Sequence, residues 1–127
     1  MGFFSKLFKK SPADRCVSFL NEADAAYSRA FQIKNASGLE RYFDRACLTV
    51  IVEKIRMAQK VYSGIDRYKV VTWDKVNDSC YIKKVRYKDV EISKGIKAPV
   101  GDSYDEEWCV MINGADFRVT NLRRLVV

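Results

Sequence analysis

The stretch Tyr104-Asp105-Glu106-Glu107-Trp108-Cys109-Val110-Met111-Ile112-Asn113-Gly114, followed by Phe117-Arg118-Val119-Thr120, decides how the chain is read. Tyr104, Glu106, Trp108, Val110 and Ile112 share one parity. Alternation of period two on both sides of Asn113-Gly114 predicts a β-hairpin, because Asn-Gly readily takes the positive φ angles of a tight turn. Each arm carries one large aromatic, Trp108 and Phe117. Paired aromatics of this kind anchor a sheet to whatever covers it.

Two strand regions precede the hairpin. Tyr68, Val70 and Thr72 alternate with Val71 and Trp73, and Val76 leads into a turn at Asn77-Asp78-Ser79. Cys80 to Ile92 reads as one long strand, with Tyr81, Val85 and Tyr87 on one parity and Val90 and Ile92 on the other. The phase change near Lys88-Asp89 predicts a bulge or bend. Lys83, Lys84, Arg86 and Lys88 make this strand basic. An exposed or edge face guarded by lysines is the expected setting. Residues 93–101, with Gly95, Pro99 and Gly101, read as a loop.

The first half of the chain is helical in pattern. Cys16, Phe19, Leu20, Ala23, Tyr27, Ala30 and Phe31 recur at three- and four-residue steps after Ser11-Pro12, a cap followed by a residue suited to the first turn. Ser18, Asn21, Glu22, Asp24, Ser28 and Arg29 fall on the opposite, wet side, so an amphipathic helix to about Lys34 is predicted. After the break at Asn35-Ala36-Ser37-Gly38, Ser37 and Glu40 suit a capping box. A second helix is expected from there to Tyr62, stopped by Ser63-Gly64. Its segment Leu48-Thr49-Val50-Ile51-Val52 is apolar nearly all round. Such a segment is either buried on two sides or a place where the helix bends.

Two helices followed by strands argue for an α+β fold: N-terminal helices packed on a curved antiparallel sheet of about four strands. Length bounds this to one domain over residues 11–127, since 127 residues can bury a core of their own. Residues 1–10 stand apart as an amphipathic arm. Phe3, Phe4, Leu7 and Phe8 would share one helical face, flanked by Lys6, Lys9 and Lys10. The arm suits an anionic membrane surface, a protein partner, or a tail without fixed structure.

Composition excludes several chemistries. The chain has no histidine, which removes the commonest general base and metal ligand together. Cys16, Cys47, Cys80 and Cys109 are far apart in sequence, so no metal site is expected and no cofactor is called for. Each lies in an apolar stretch and reads as a buried, reduced thiol. That reading suits a cytoplasmic protein, with the arm able to hold it peripherally at the inner face of a membrane. No apolar run approaches the roughly 18–20 residues needed to span a bilayer. The net charge of +7 permits an anionic partner.

The runs Ser37-Gly38-Leu39-Glu40, Tyr68-Lys69-Val70-Val71, Ser103-Tyr104-Asp105-Glu106-Glu107-Trp108 and Phe117-Arg118-Val119, in that order, resemble the nuclear transport factor 2-like superfamily. They are nearest the domain of the mitochondrial inner-membrane translocase subunit 44 and its bacterial relatives. The resemblance covers roughly residues 15 to 125, and Phe117 stands where that pattern more often has Trp. It implies a cystatin-like cone: a sheet wrapped by helices, often around a pocket. Some members of that superfamily are acid–base enzymes; others bind proteins, membranes or small ligands.

Three functions follow as expectations. The first is a non-catalytic binding or scaffold module, recruited to a membrane or partner protein by its arm. Tyr42, Tyr62, Glu106, Trp108 and Phe117 would line its pocket, although the two tyrosines at their helical spacing also suit core positions with a wet tip. A small apolar ligand fits such a pocket, and a homodimer suits an open sheet face. The second is isomerase- or dehydratase-like acid–base chemistry, with Asp44 or Glu106 as base and Tyr42, Tyr62 or Tyr104 as oxyanion donor. The third, weakly supported, is nucleic-acid binding through Trp73, Tyr81 and Tyr87 between lysines, against which the basic residues are scattered and form no known motif.

Overall fold

A computed structural model describes residues 12–58, 69–99, 103–114 and 116–125 of the chain. Helix α1 (Pro12–Ile33) and helix α2 (Arg45–Met57) precede six strands: β1 (Lys69–Lys75), β2 (Cys80–Tyr87), β3 (Asp89–Ser93), β4 (Ile96–Pro99), β5 (Tyr104–Asn113) and β6 (Asp116–Leu125). The main sheet is antiparallel in the order β1-β2-β5-β6, and β3 and β4 form a separate two-stranded ribbon. The α+β fold expected from the sequence is thus present, with the helices N-terminal to a four-stranded sheet.

The hairpin forms about Asn113-Gly114 as its alternation requires. Asn113 pairs with Asp116, Gly114 takes φ 62°, and the pairing runs down to Asp105 opposite Leu125. Thr120 is an extra residue: Cys109 pairs with Asn121 while Val110 pairs with Val119. This β-bulge restores parity, so Val119 and Leu122 both face the helices beside Val110 and Trp108. The strand read as Cys80 to Ile92 is divided at Lys88. Its second part turns away as β3 and pairs with β4, within residues expected to be a loop. Gly95, at φ 78°, makes that turn.

The second helix differs from its reading. Instead of one run from Ser37, a short 3-10 turn (Leu39–Arg41) ends at Tyr42, and α2 starts anew at Arg45. Gly38, left-handed at φ 91°, leads the turn with no side-chain cap; Glu40 reaches back to its amide at 3.0 Å. Between turn and helix, Phe43 forms a parallel bridge to Val119 of β6. Val119 donates to the Tyr42 carbonyl at 2.7 Å, and the Asp44 amide donates to the Val119 carbonyl at 2.9 Å. Extended backbone is required there, which breaks the helix. Asp44 then caps α2, its Oδ1 accepting from the Cys47 amide at 2.8 Å. Within α2 only Cys47, Ile51 and Ile55 are buried, while Val50 and Val52 are exposed. The apolar segment around them therefore continues as unbroken α-helix with one buried stripe.

The core lies between the helices and the inner face of the sheet. Trp108 is fully buried and meets Phe43, Tyr27 and Trp73 with ring centroids 5.2–5.8 Å apart. Aromatic contacts of this geometry contribute about 0.5–1.5 kcal/mol each beyond area burial. Cys16, Leu20, Ala23 and Ala30 bring α1 onto the same layer.

The cysteines divide into two pairs of different kind. Cys16 and Cys47 are buried thiols. Cys80 and Cys109 are register partners on the outer face of β2 and β5 and are joined as a disulfide. Four reduced thiols were expected; spacing in sequence hides this pair, because only strand register brings it together. The disulfide also removes that part of the argument for a reducing compartment. Among the described residues no helix is long and apolar enough to cross a membrane.

Candidate functional site

One row of side chains crosses the inner face of the whole sheet. Trp73 of β1 pairs with Lys83 of β2, Lys83 with Glu106 of β5, and Glu106 with Arg124 of β6. The row therefore alternates cation, carboxylate, cation from β2 to β6. Lys83 is 1% exposed and Glu106 4%. Helix α1 lays Asp24, 6% exposed, onto the same spot. A buried charge is tolerable only when paired, and here the pairing is double. Lys83 Nζ forms an ion pair with Asp24 Oδ1 and stands 3.5 Å from Glu106 Oε1.

Further contacts fix the cluster. Trp108 Nε1 donates to Glu106 Oε1 at 3.3 Å. Lys69 of β1 stands 3.5 Å from Asp24 Oδ2 and donates to Ser28 Oγ at 2.8 Å. Asp24 thus holds Lys83 through Oδ1 and Lys69 through Oδ2. The Lys83 ammonium also lies 5.0, 5.7 and 5.9 Å from the ring centroids of Trp108, Tyr27 and Tyr104. Aromatic faces add to the stabilisation of a buried cation.

A cavity of about 320 Å³ opens above this cluster, between the C-terminal half of α1 and the sheet. Tyr27, Phe31, Tyr87 and Tyr104 provide its ring surfaces, and Lys69, Lys83 and Arg124 its cations. The Arg124 guanidinium carbon sits 3.9 Å over the Tyr104 ring. Burial foremost, with the Glu106 carboxylate next, pushes the Tyr27 phenol well above its ordinary range. Tyr27 is thus a protonated hydrogen-bond donor at any physiological pH.

The residues expected to line a pocket are divided by the fold. Glu106 and Trp108 are hydrogen-bonded to each other in the core beneath the cavity, and neither is among the described residues that line it. Tyr42 and Phe117 lie farther toward the hairpin turn, both against Phe19, at centroid distances of 6.0 and 5.3 Å. Tyr62 lies outside the described residues, as do Phe3, Phe4, Lys6, Leu7, Phe8, Lys9 and Lys10 of the arm. Asp44, a candidate base, is instead a helix cap. Tyr104, a candidate donor, does line the cavity.

Two expectations about charge are corrected. Lys83 belongs to a central strand between β1 and β5, facing the core, and not to an exposed or edge face. Asp24, placed on the wet side of α1, is buried. Both were detectable: Lys83 shares the parity of Tyr81 and Val85, and Asp24 lies four residues from Leu20 and three from Tyr27. Tyr81 is buried against Cys16, so it is not available to stack a base.

Among the described residues no group of three or more His, Cys, Asp and Glu is placed to hold a metal ion. No family model matches the chain, and neither does a curated protein or a solved structure.

Proposed function

We propose that the protein is a non-catalytic binding module whose ligand site is the hollow between α1 and the sheet. The observation that carries this reading is the cavity itself: ring walls from Tyr27, Phe31, Tyr87 and Tyr104 over a floor of buried, mutually paired charges. A volume of about 320 Å³ with a few convergent polar groups is the usual form of a small-ligand site. The resemblance of the sequence to the nuclear transport factor 2-like superfamily supports the same reading, since it implies a sheet wrapped by helices, often around a pocket. Recruitment of the module to a membrane or a partner protein by residues 1–10 belongs to the same proposal.

Acid–base chemistry is supported less well. A general base needs a lone pair within reach of a substrate proton. Asp24 and Glu106 are both held against the Lys83 ammonium, so their charge is already compensated. Their arrangement serves to fix the floor of a pocket.

The test is titration of the full-length protein with 2-naphthol, 1-naphthoate and 1-naphthylmethylamine, followed by amide and ring chemical shifts. The proposal expects at least one probe to shift Tyr27, Phe31, Tyr87 and Tyr104 together. If none of the three moves those residues, the proposal is overturned.

A further inference from the structure

We infer that the cavity selects a small organic anion, a carboxylate or similar head on a flat one- or two-ring body. The inference rests on the binding-module reading and adds the class of ligand to it.

The sign of the lining charges comes first. Lys69, Lys83 and Arg124 face the cavity, and two carboxylates, Asp24 and Glu106, lie beneath them. Among the described residues that line the cavity, every charged side chain is a cation. A cleft whose lining carries one sign of charge draws a ligand of the opposite sign. A cationic ligand is repelled by the same side chains.

Donor geometry is the second. Arg124 is the cation left without a carboxylate: among the described residues none lies within 4.0 Å of it. Its register partner Glu106 turns to Lys83 and Trp108 instead. The Tyr104 ring beneath the guanidinium holds it in place at the cavity wall. A planar guanidinium so held offers a two-pronged donor edge that matches a carboxylate. The Tyr27 hydroxyl adds a donor from α1.

Size and wall chemistry are the third. The cavity holds about ten water volumes, the volume of a one- or two-ring acid. Ring walls favour a flat apolar body by stacking.

The same three naphthalene probes, similar in ring size and different in charge, decide the matter on the full-length protein. The inference expects 1-naphthoate to bind at least about tenfold more tightly than 2-naphthol, with the amine weakest, since a charge-assisted hydrogen bond carries that much discrimination. Arg124→Gln, at an exposed position, should weaken naphthoate about tenfold and leave naphthol unchanged. Arg124→Lys, which keeps the charge and loses the fork, should fall between. Naphthol or the amine binding as tightly as naphthoate would overturn the anion assignment and leave the binding-module reading standing. So would Arg124→Gln without effect on naphthoate. Failure of all three probes to reach the cavity overturns the underlying reading, and the inference with it.

Discussion

Lys83 and Glu106 are direct cross-strand partners on β2 and β5, and their side chains meet at 3.5 Å beneath the core face of Trp108. With Asp24 reaching down from α1, this pair ties the first helix to the two central strands through charge and not through apolar contact alone. Removing one member of a buried ionic group leaves the others uncompensated.

Lys83→Met is therefore expected to lower the unfolding free energy by about 3–5 kcal/mol, because buried Glu106 loses its counter-charge and Asp24 keeps only Lys69. Replacing Glu106 by Leu in the same chain should recover part of that loss, since it removes the carboxylate left without a cation while Asp24 keeps Lys69. Urea unfolding measures both. A Lys83→Met variant within about 1 kcal/mol of the parent contradicts the double pairing.

Asp44 gives a local test of why α2 begins where it does. Its carboxylate accepts from the Cys47 amide at 2.8 Å. Asp44→Ala should cost about 1 kcal/mol, and Asp44→Asn much less, because Asn caps nearly as well. The comparison is made by thermal or chemical denaturation. Equal loss in both variants would mean that the charge, and not the cap, matters.

Alkaline pH should weaken the fold. Burial first, then the nearby Asp44 carboxylate, pushes the Cys47 thiol from its ordinary 9.0 up to about 11. Burial first, then its hydrogen bond with Cys16, pushes the Tyr81 phenol from 10.0 up to about 12. Below the ordinary values both folded and unfolded chains hold these protons, and stability does not vary with pH. Between the ordinary and the raised values the unfolded chain ionises while the folded chain stays protonated, so stability falls as pH rises. Denaturation midpoints should be level to about pH 9 and decline above it. Cys47→Ala should flatten the first part of that decline. A midpoint constant to about pH 11 would contradict the burial of both groups.

The Cys80–Cys109 bond closes a loop between residues 29 apart in sequence. Reduction, or the double change to Ser, should cost about 3 kcal/mol by the loss of that constraint on the unfolded chain. Alkylation of the native protein under denaturing, non-reducing conditions should label Cys16 and Cys47 only. Labelling of all four cysteines would show the pair to be open.

The hairpin was legible because a period of two and an Asn-Gly turn are local signals, sufficient in themselves to set register from Asn113 back to Val110, short of the bulge. The start of α2 was not, because Tyr42 and Phe43 continue an apolar helical stripe in sequence. What breaks the helix is a bridge to Val119, more than seventy positions on. The cluster beneath the cavity was half legible. Glu106 and Trp108 share an inward parity that the sequence displays, whereas Lys83 was read by its charge and its basic neighbours when its own parity pointed inward. Arg124 could be found only with the pairing in hand, since the bulge at Thr120 shifts the face on which β6 presents it.

The central claim is that the hollow over Lys83, Asp24 and Glu106 receives a ligand. Intermolecular nuclear Overhauser effects between 1-naphthoate and the protein measure this most directly. The account predicts contacts from the naphthalene protons to the rings of Tyr27, Phe31, Tyr87 and Tyr104. Contacts confined to Val50 and Val52 on α2, or to Met111 and Ile112 at the hairpin end, would contradict it.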